Sequence, residues 1–144
     1  MFGSRLLGTA ALAALALSQA GPASAASSLA NRLGRWVGNY SCTDHYAKGK
    51  VSYSQSATAF GKWVRFDSDI PAGAGLPPRS SSFAMTYDET RHLWIALSYD
   101  SAGSYGVSKS HSEPISATKN GYRAVSSMKR NGKTLDFGTV CTKQ

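Results

Sequence analysis

Asn120-Gly-Tyr-Arg-Ala-Val-Ser-Ser-Met-Lys-Arg-Asn-Gly-Lys-Thr-Leu-Asp-Phe-Gly-Thr-Val-Cys-Thr142 is the stretch that decides the fold class. Two Asn-Gly dipeptides, at Asn120-Gly121 and Asn131-Gly132, precede two runs in which apolar and polar residues alternate. Alternation at period two is the mark of a strand with one wet face. Asn-Gly readily takes the positive backbone angles of a type I′ turn, which joins two antiparallel strands tightly. The sequence therefore predicts a meander: a strand over Tyr122 to Lys129, a hairpin at Asn131-Gly132, and a final strand over Lys133 to Thr142.

Working back towards the N-terminus, the same texture repeats. Strands are expected at Arg35 to Thr43, Lys50 to Phe60, Lys62 to Ser68, Ser80 to Tyr87, Leu93 to Asp100, Tyr105 to Ser112 and Ile115 to Lys119. Tight links at Asp88 to His92 and Ser101 to Ser104 fit consecutive antiparallel pairing. The single long connection, Ile70-Pro-Ala-Gly-Ala-Gly-Leu-Pro-Pro-Arg79, is too rich in Gly and Pro for a strand, and reads as a surface loop or a lid over a cavity mouth. Ser27 to Leu33 is expected to form one helical turn, with Ser28 as N-cap and Gly34 as the stop.

The faces of the strands suggest closure. Trp36, Tyr40 and Cys42 share one parity in the first strand, and Leu135, Phe137 and Cys141 share one in the last. Phe83, Met85 and Tyr87 form the apolar row of the fourth strand, and Leu93, Ile95, Leu97 and Tyr99 that of the fifth. Cys42 and Cys141 are the only cysteines, so one intramolecular disulfide is possible. If the first strand lies beside the last, the expected architecture is an all-β, antiparallel up-and-down barrel of eight or nine strands, with no exposed edge. An immunoglobulin sandwich also uses one cysteine pair, but its second cysteine lies in the penultimate strand and a tryptophan follows soon after the first. Here Cys141 is in the final strand and Trp63 lies far along the chain.

Leu33-Gly34-Arg35-Trp36-Val37-Gly38-Asn39-Tyr40 resembles the Gly-x-Trp signature of the lipocalin or calycin superfamily. That resemblance implies a structural role for Gly34, Trp36 and Gly38: the tryptophan plugs the closed end of a barrel, and a basic residue from the last strand packs over it. Lys143 stands where that basic partner is expected, without an arginine. Gly38 makes the segment similar to the Trp-x-Gly opening of nitrobindin-like and DUF1579-like barrels. Phe83-Ala-Met-Thr-Tyr-Asp-Glu-Thr-Arg91 and Tyr99-Asp-Ser-Ala-Gly-Ser-Tyr-Gly106 resemble the DUF1579 pattern of an aromatic-Tyr-Asp hairpin followed by an Asp-Ser-x-Gly turn.

Arg5, the apolar run from Leu6 to Leu17, Gly21-Pro22 and Ala23-Ser24-Ala25-Ala26 follow the order of a secretory signal peptide. Cleavage is expected after Ala25, with Ala26 or Gln19-Ala20 as weaker sites, leaving 26–144 as one barrel domain in the periplasm or outside the cell. Cys42 lies well beyond that site, so the chain is not expected to be a lipoprotein, and no later run reaches the length of about 20 apolar residues needed to span a bilayer. Removal of Arg5 lowers the formal net charge of +8 by one unit. A basic surface serves solubility and can also meet an anionic envelope surface. No basic run with interleaved aromatics points to nucleic acid.

Chemistry is sparsely signalled. His45, His92 and His111 have no metal-ligand spacing, and a nitrobindin-like haem would need a histidine after His111. No Gly-x-Ser-x-Gly elbow occurs, Asp44-His45 is an isolated pair, and Asp67, Asp69, Asp88 and Glu89 read as strand-end charges. No catalytic residue, cofactor or metal is therefore expected. The remaining feature is the barrel interior, for which Tyr40, Tyr53, Phe66, Phe83, Met85, Tyr87, Ile95, Leu97, Tyr99 and Tyr105 are the candidate lining. This apolar and hydroxyl-bearing set suits a small hydrophobic molecule with one or two polar groups, unless side chains fill the space. Three readings follow: a carrier of a small apolar ligand, a packed barrel that meets polyanions, and a small barrel enzyme.

Overall fold

The computed structural model describes residues 29–144, of which 29–34 are helical and the rest almost wholly strands and tight turns. The nine strands are β1 (Gly38–Tyr46), β2 (Gly49–Phe60), β3 (Trp63–Ile70), β4 (Arg79–Asp88), β5 (Leu93–Asp100), β6 (Tyr105–Ser110), β7 (Ile115–Thr118), β8 (Gly121–Arg130) and β9 (Lys133–Lys143). Eight of them close into an antiparallel barrel, and β7 is an additional strand paired with β8 alone. Each expected strand is present, although the first begins later than anticipated. The proposed leader, its cleavage site and the Ser28 cap lie outside the described residues.

Closure occurs at two seams. On one, β1 pairs with β9 from Tyr40↔Lys143 to His45↔Gly138, which sets Cys42 directly opposite Cys141. The two sulfurs are bonded, with the Cα atoms 4.1 Å apart and the two cysteines separated by 99 positions in sequence. Both cysteines are buried, so the disulfide stands on the inner face, as the parity of each strand requires. On the other seam β6 meets β8 at one register pair, Tyr105↔Lys129.

Apolar packing is concentrated at the end where β1 begins. Leu29 and Leu33 from the helical turn, with Trp36, Tyr40, Phe66, Val64, Met85, Trp94 and Tyr122, form one buried cluster there. Each such side chain removed from water contributes about 1.5–3 kcal/mol, so this cluster is the main source of stability. Trp36 packs edge-on against Tyr122 at 6.1 Å, and the Tyr40 hydroxyl donates to the Trp36 carbonyl at 2.8 Å, which ties the N-terminal turn to the barrel wall. Trp36 does not lie in β1: its amide donates to the Leu33 carbonyl at 3.0 Å and that of Val37 to Gly34 at 3.1 Å, continuing the helical turn. The basic residue over the Trp36 ring is Arg35, whose guanidinium carbon lies 4.7 Å from the ring centre. Lys143 instead covers Gly38 and faces the Tyr40 ring at 5.9 Å.

The two Asn-Gly pairs serve different ends. Asn131 and Gly132 have φ of 50° and 73°, as a type I′ hairpin needs. Asn120 and Gly121 have no positive φ; the β7–β8 turn is Lys119-Asn120, and Gly121 is the first residue of β8, opposite Thr142. Glycine is required there for another reason, since a Cβ would fall 2.0 Å from the Cys141 carbonyl oxygen. Close approach of two backbones selected this glycine, and a dipeptide rule cannot distinguish that from a turn.

The apolar parity of β5 is also corrected. Trp94, Ala96 and Asp100 are buried, whereas Leu97 and Tyr99 are 39% and 61% exposed, and half-buried Ile95 shares their outward side. The inner row of β5 runs from Trp94 to the smaller Ala96, Ser98 and Asp100, with Ala96 beside the buried Met85 of the neighbouring β4.

Because the disulfide closes a loop of 99 residues, Cys42→Ser with Cys141→Ser is expected to lower unfolding stability by about 2–5 kcal/mol. Urea denaturation of the oxidised protein, the reduced protein and the double variant checks this, with the last two expected to coincide.

Candidate functional site

The half of the barrel away from the Trp36 cluster is hollow. A cavity of about 370 Å³ lies there, walled by Tyr53, Phe83, Tyr122 and Phe137 as well as by Gln55, Ser68, Ser81, Ser98 and Thr139. Three charged side chains complete it: Asp44 from β1, Arg79 from the start of β4 and Asp100 from the end of β5. Strand alternation brings them inside, since Asp44 continues the inward row of Tyr40 and Cys42, and Asp100 that of Trp94, Ala96 and Ser98.

Buried charges survive only when paired and hydrogen-bonded, and these form one connected chain. The Arg79 Nε lies 3.5 Å from Asp100 Oδ2, with both side chains 3% exposed. Asp100 Oδ1 accepts the amides of Ala102 at 3.0 Å and Ser104 at 2.9 Å, so the β5–β6 turn is built on this carboxylate. Arg79 also donates to the Pro77 carbonyl at 3.3 Å and to the Tyr46 hydroxyl at 2.6 Å. Tyr46 in turn donates to Asp44 Oδ2 at 2.9 Å. Asp44 Oδ1 accepts from Tyr53 at 2.9 Å and Thr139 at 2.6 Å. Deeper in, Tyr122 donates to Gln55 Oε1, and Gln55 Nε2 donates to Ser68 at 3.0 Å.

This environment holds its phenols protonated. Burial, and then the Asp44 charge, push the hydroxyls of Tyr46 and Tyr53 far above the usual phenol range, and burial first also raises Tyr122 and Tyr40. The cavity therefore presents hydroxyl donors rather than phenolates at any ordinary pH.

Access is from the side and from the mouth. Gly106 to Ser110 on β6 have no pairing with β8, and the cavity reaches the strand edges there at Val107, Ser108, Val125 and Ser127. Val125 is 91% exposed while lining the cavity, so this gap is an opening in the wall. At the mouth, the 70–79 connection is an ordered turn, with Gly73 and Leu76 exchanging backbone bonds of 3.0 and 2.9 Å. It leans on Val51 beneath it, where a Cβ on Gly73 would stand 2.7 Å from a Val51 methyl.

Of the anticipated lining residues, Tyr53 and Phe83 face the cavity. Tyr40, Phe66 and Met85 face inward but are consumed by the packed cluster, and Tyr87 stacks on Trp94 at 5.2 Å with the Arg32 guanidinium carbon 4.2 Å from its ring. Ile95, Leu97, Tyr99 and Tyr105 do not line it; Tyr105 is 59% exposed and pairs with Tyr99 on the outer face. Asp44, Arg79 and Asp100 were not anticipated. Asp44 alone carried a signal, its shared parity with Cys42; Arg79 and Asp100 stand at strand ends, where charges are ordinarily solvated.

Among the described residues no three His, Cys, Asp or Glu side chains gather as a metal set. His92 lies 3.3 Å from the Tyr87 hydroxyl, and the His111 ring nitrogen 3.1 Å from the His92 carbonyl, both outside the cavity. Within the same residues no helix is long and apolar enough to cross a membrane. Comparison with protein-family models and with curated proteins returned no match for this chain.

The raised tyrosine values have a defined sign. A phenol whose folded value exceeds its unfolded value of about 10 stabilises the fold below that pH, and this contribution is lost as pH rises through the folded value. At about pH 11 the folded protein is expected to show less tyrosinate absorbance than the same protein in denaturant, and to melt at a lower temperature than at neutral pH.

Proposed function

We propose that the protein is a binding barrel that encloses one small molecule with an apolar body and one or two polar groups, and performs no chemistry on it. The observation that carries this reading is the cavity of about 370 Å³, within the range of about 300–1,000 Å³ typical of small-molecule sites. Aromatic walls give such a ligand apolar contact, while the hydroxyls of Tyr53, Ser68, Ser81 and Ser98 offer it hydrogen bonds. The calycin-like opening around Gly34, Trp36 and Gly38 agrees with a carrier, as does a disulfide with an oxidising compartment outside the cytoplasm.

A second reading rests on the outer face of β5 and β6. Leu97 pairs with Val107 and Tyr99 with Tyr105, giving four adjacent exposed apolar or aromatic side chains, and Lys109 and Lys129 stand at the two ends of this patch. Aromatic residues flanked by lysine suit the head-group region of an anionic membrane. Binding to acidic vesicles should then weaken at high salt and in Tyr99→Ser with Tyr105→Ser; salt-independent binding, or none, would contradict this second reading.

For the cavity itself, a neutral fluorescent probe such as N-phenylnaphthylamine is expected to bind saturably at one site per chain. Ser98→Phe, which fills the cavity from β5, should abolish that signal while leaving the circular dichroism spectrum unchanged. Equal probe binding by both proteins would place the site elsewhere and refute the proposal.

A further inference from the structure

The lining of the cavity is electrically unbalanced. It contains two carboxylates, Asp44 and Asp100, against one guanidinium, Arg79. Arg79 and Asp100 are committed to each other at 3.5 Å, and Asp100 is further held by the turn amides. Asp44, 1% exposed, has no salt-bridge partner among the described residues; three hydroxyls converge on its oxygens instead. That arrangement suits an ionised carboxylate, which only accepts hydrogen bonds. Oδ1 takes two of them and Oδ2 takes one, so Oδ2 retains acceptor capacity. This excess negative charge lies inside a chain whose formal net charge is +8, so it opposes the surrounding field.

We infer that the cavity selects ligands bearing a positively charged amine, with Asp44 as the counter-charge and the surrounding aromatic rings as the seat of the apolar body. The inference rests on the binding-barrel reading and narrows its ligand class. An ammonium within reach of Oδ2 would supply the missing charge beside a carboxylate that is itself buried, where a charge-assisted hydrogen bond is stronger than in open water. Tyr46 packs on Phe137 with centroids 5.0 Å apart and already has the Arg79 guanidinium carbon 5.8 Å from its ring centre, so Phe137 and Tyr53 are the rings left to face a ligand's cation or hydrocarbon. An anionic ligand would meet Asp44 without a free guanidinium to receive it, because Arg79 is already ion-paired with Asp100 and donates to Pro77 and Tyr46.

Displacement of the neutral probe by 2-phenylethylamine, 2-phenylethanol and 3-phenylpropionate, which share one ring and differ in charge, tests this directly. The amine should displace at a concentration lower by about tenfold or more than the alcohol, with the carboxylate weakest. Asp44→Asn should bring amine and alcohol together, read as the ratio of their displacing concentrations at whatever probe affinity the variant shows. Should that variant fail to fold, the ranking of the three compounds on the natural protein still decides the matter. Equal displacement by all three, or preference for the carboxylate, overturns the cationic selectivity and leaves the binding barrel standing. A natural protein that binds neither probe nor any of the three overturns both.

Discussion

The pairing of β1 with β9 is the constraint from which the rest follows. It joins segments almost a hundred residues apart, and the loop entropy that such a contact costs is offset where Cys42 and Cys141 are bonded on the inner face. Once these strands are side by side, β2 and β8 are fixed on either flank, and the inward rows of all four converge on one axis. Asp44 is held two residues along from Cys42, and Thr139 two residues before Cys141, so the disulfide also sets the Asp44–Thr139 hydrogen bond.

The barrel divides its interior by chemistry. One half is filled by Trp36, Tyr40, Phe66 and their neighbours and supplies most of the apolar burial; the other accepts buried charge, which is tolerable only because every member is bonded to the next. A packed half gives rigidity to a hollow half. The weaker seam, between β6 and β8, lies beside the cavity, and Gly106 is closely packed there: a Cβ on it would stand 2.8 Å from Ser98 Oγ and 3.2 Å from the Ser127 carbonyl oxygen of β8.

Much of this was legible from residues. Alternation located all nine strands, parity placed both cysteines inside, and Asn131-Gly132 announced its hairpin. The failures have physical causes. In β5 the outward row of Leu93, Ile95, Leu97 and Tyr99 is more apolar than the inward one, because the interior there needs small residues and the exterior carries an exposed patch. A rule that sends apolar residues inward selects the wrong face wherever a surface is itself apolar. Gly121 is a close-approach glycine beside an ordinary turn. The Arg79–Asp100 pair was invisible because its members are 21 residues apart and meet only across the β4–β5 mouth, so no single strand records it. Asp44 shows that a carboxylate on the parity of a buried cysteine should be read as interior.

Barrel and cavity both require the first and last strands to lie together inside one closed sheet. Nuclear Overhauser spectroscopy on labelled oxidised protein reads this directly. Cross-strand contacts linking Ser41 with Thr142 and Thr43 with Val140 are expected alongside those from β1 to β2. A β1 that shows contacts to β2 alone, with β9 paired elsewhere, would contradict the closed barrel and remove the cavity with it.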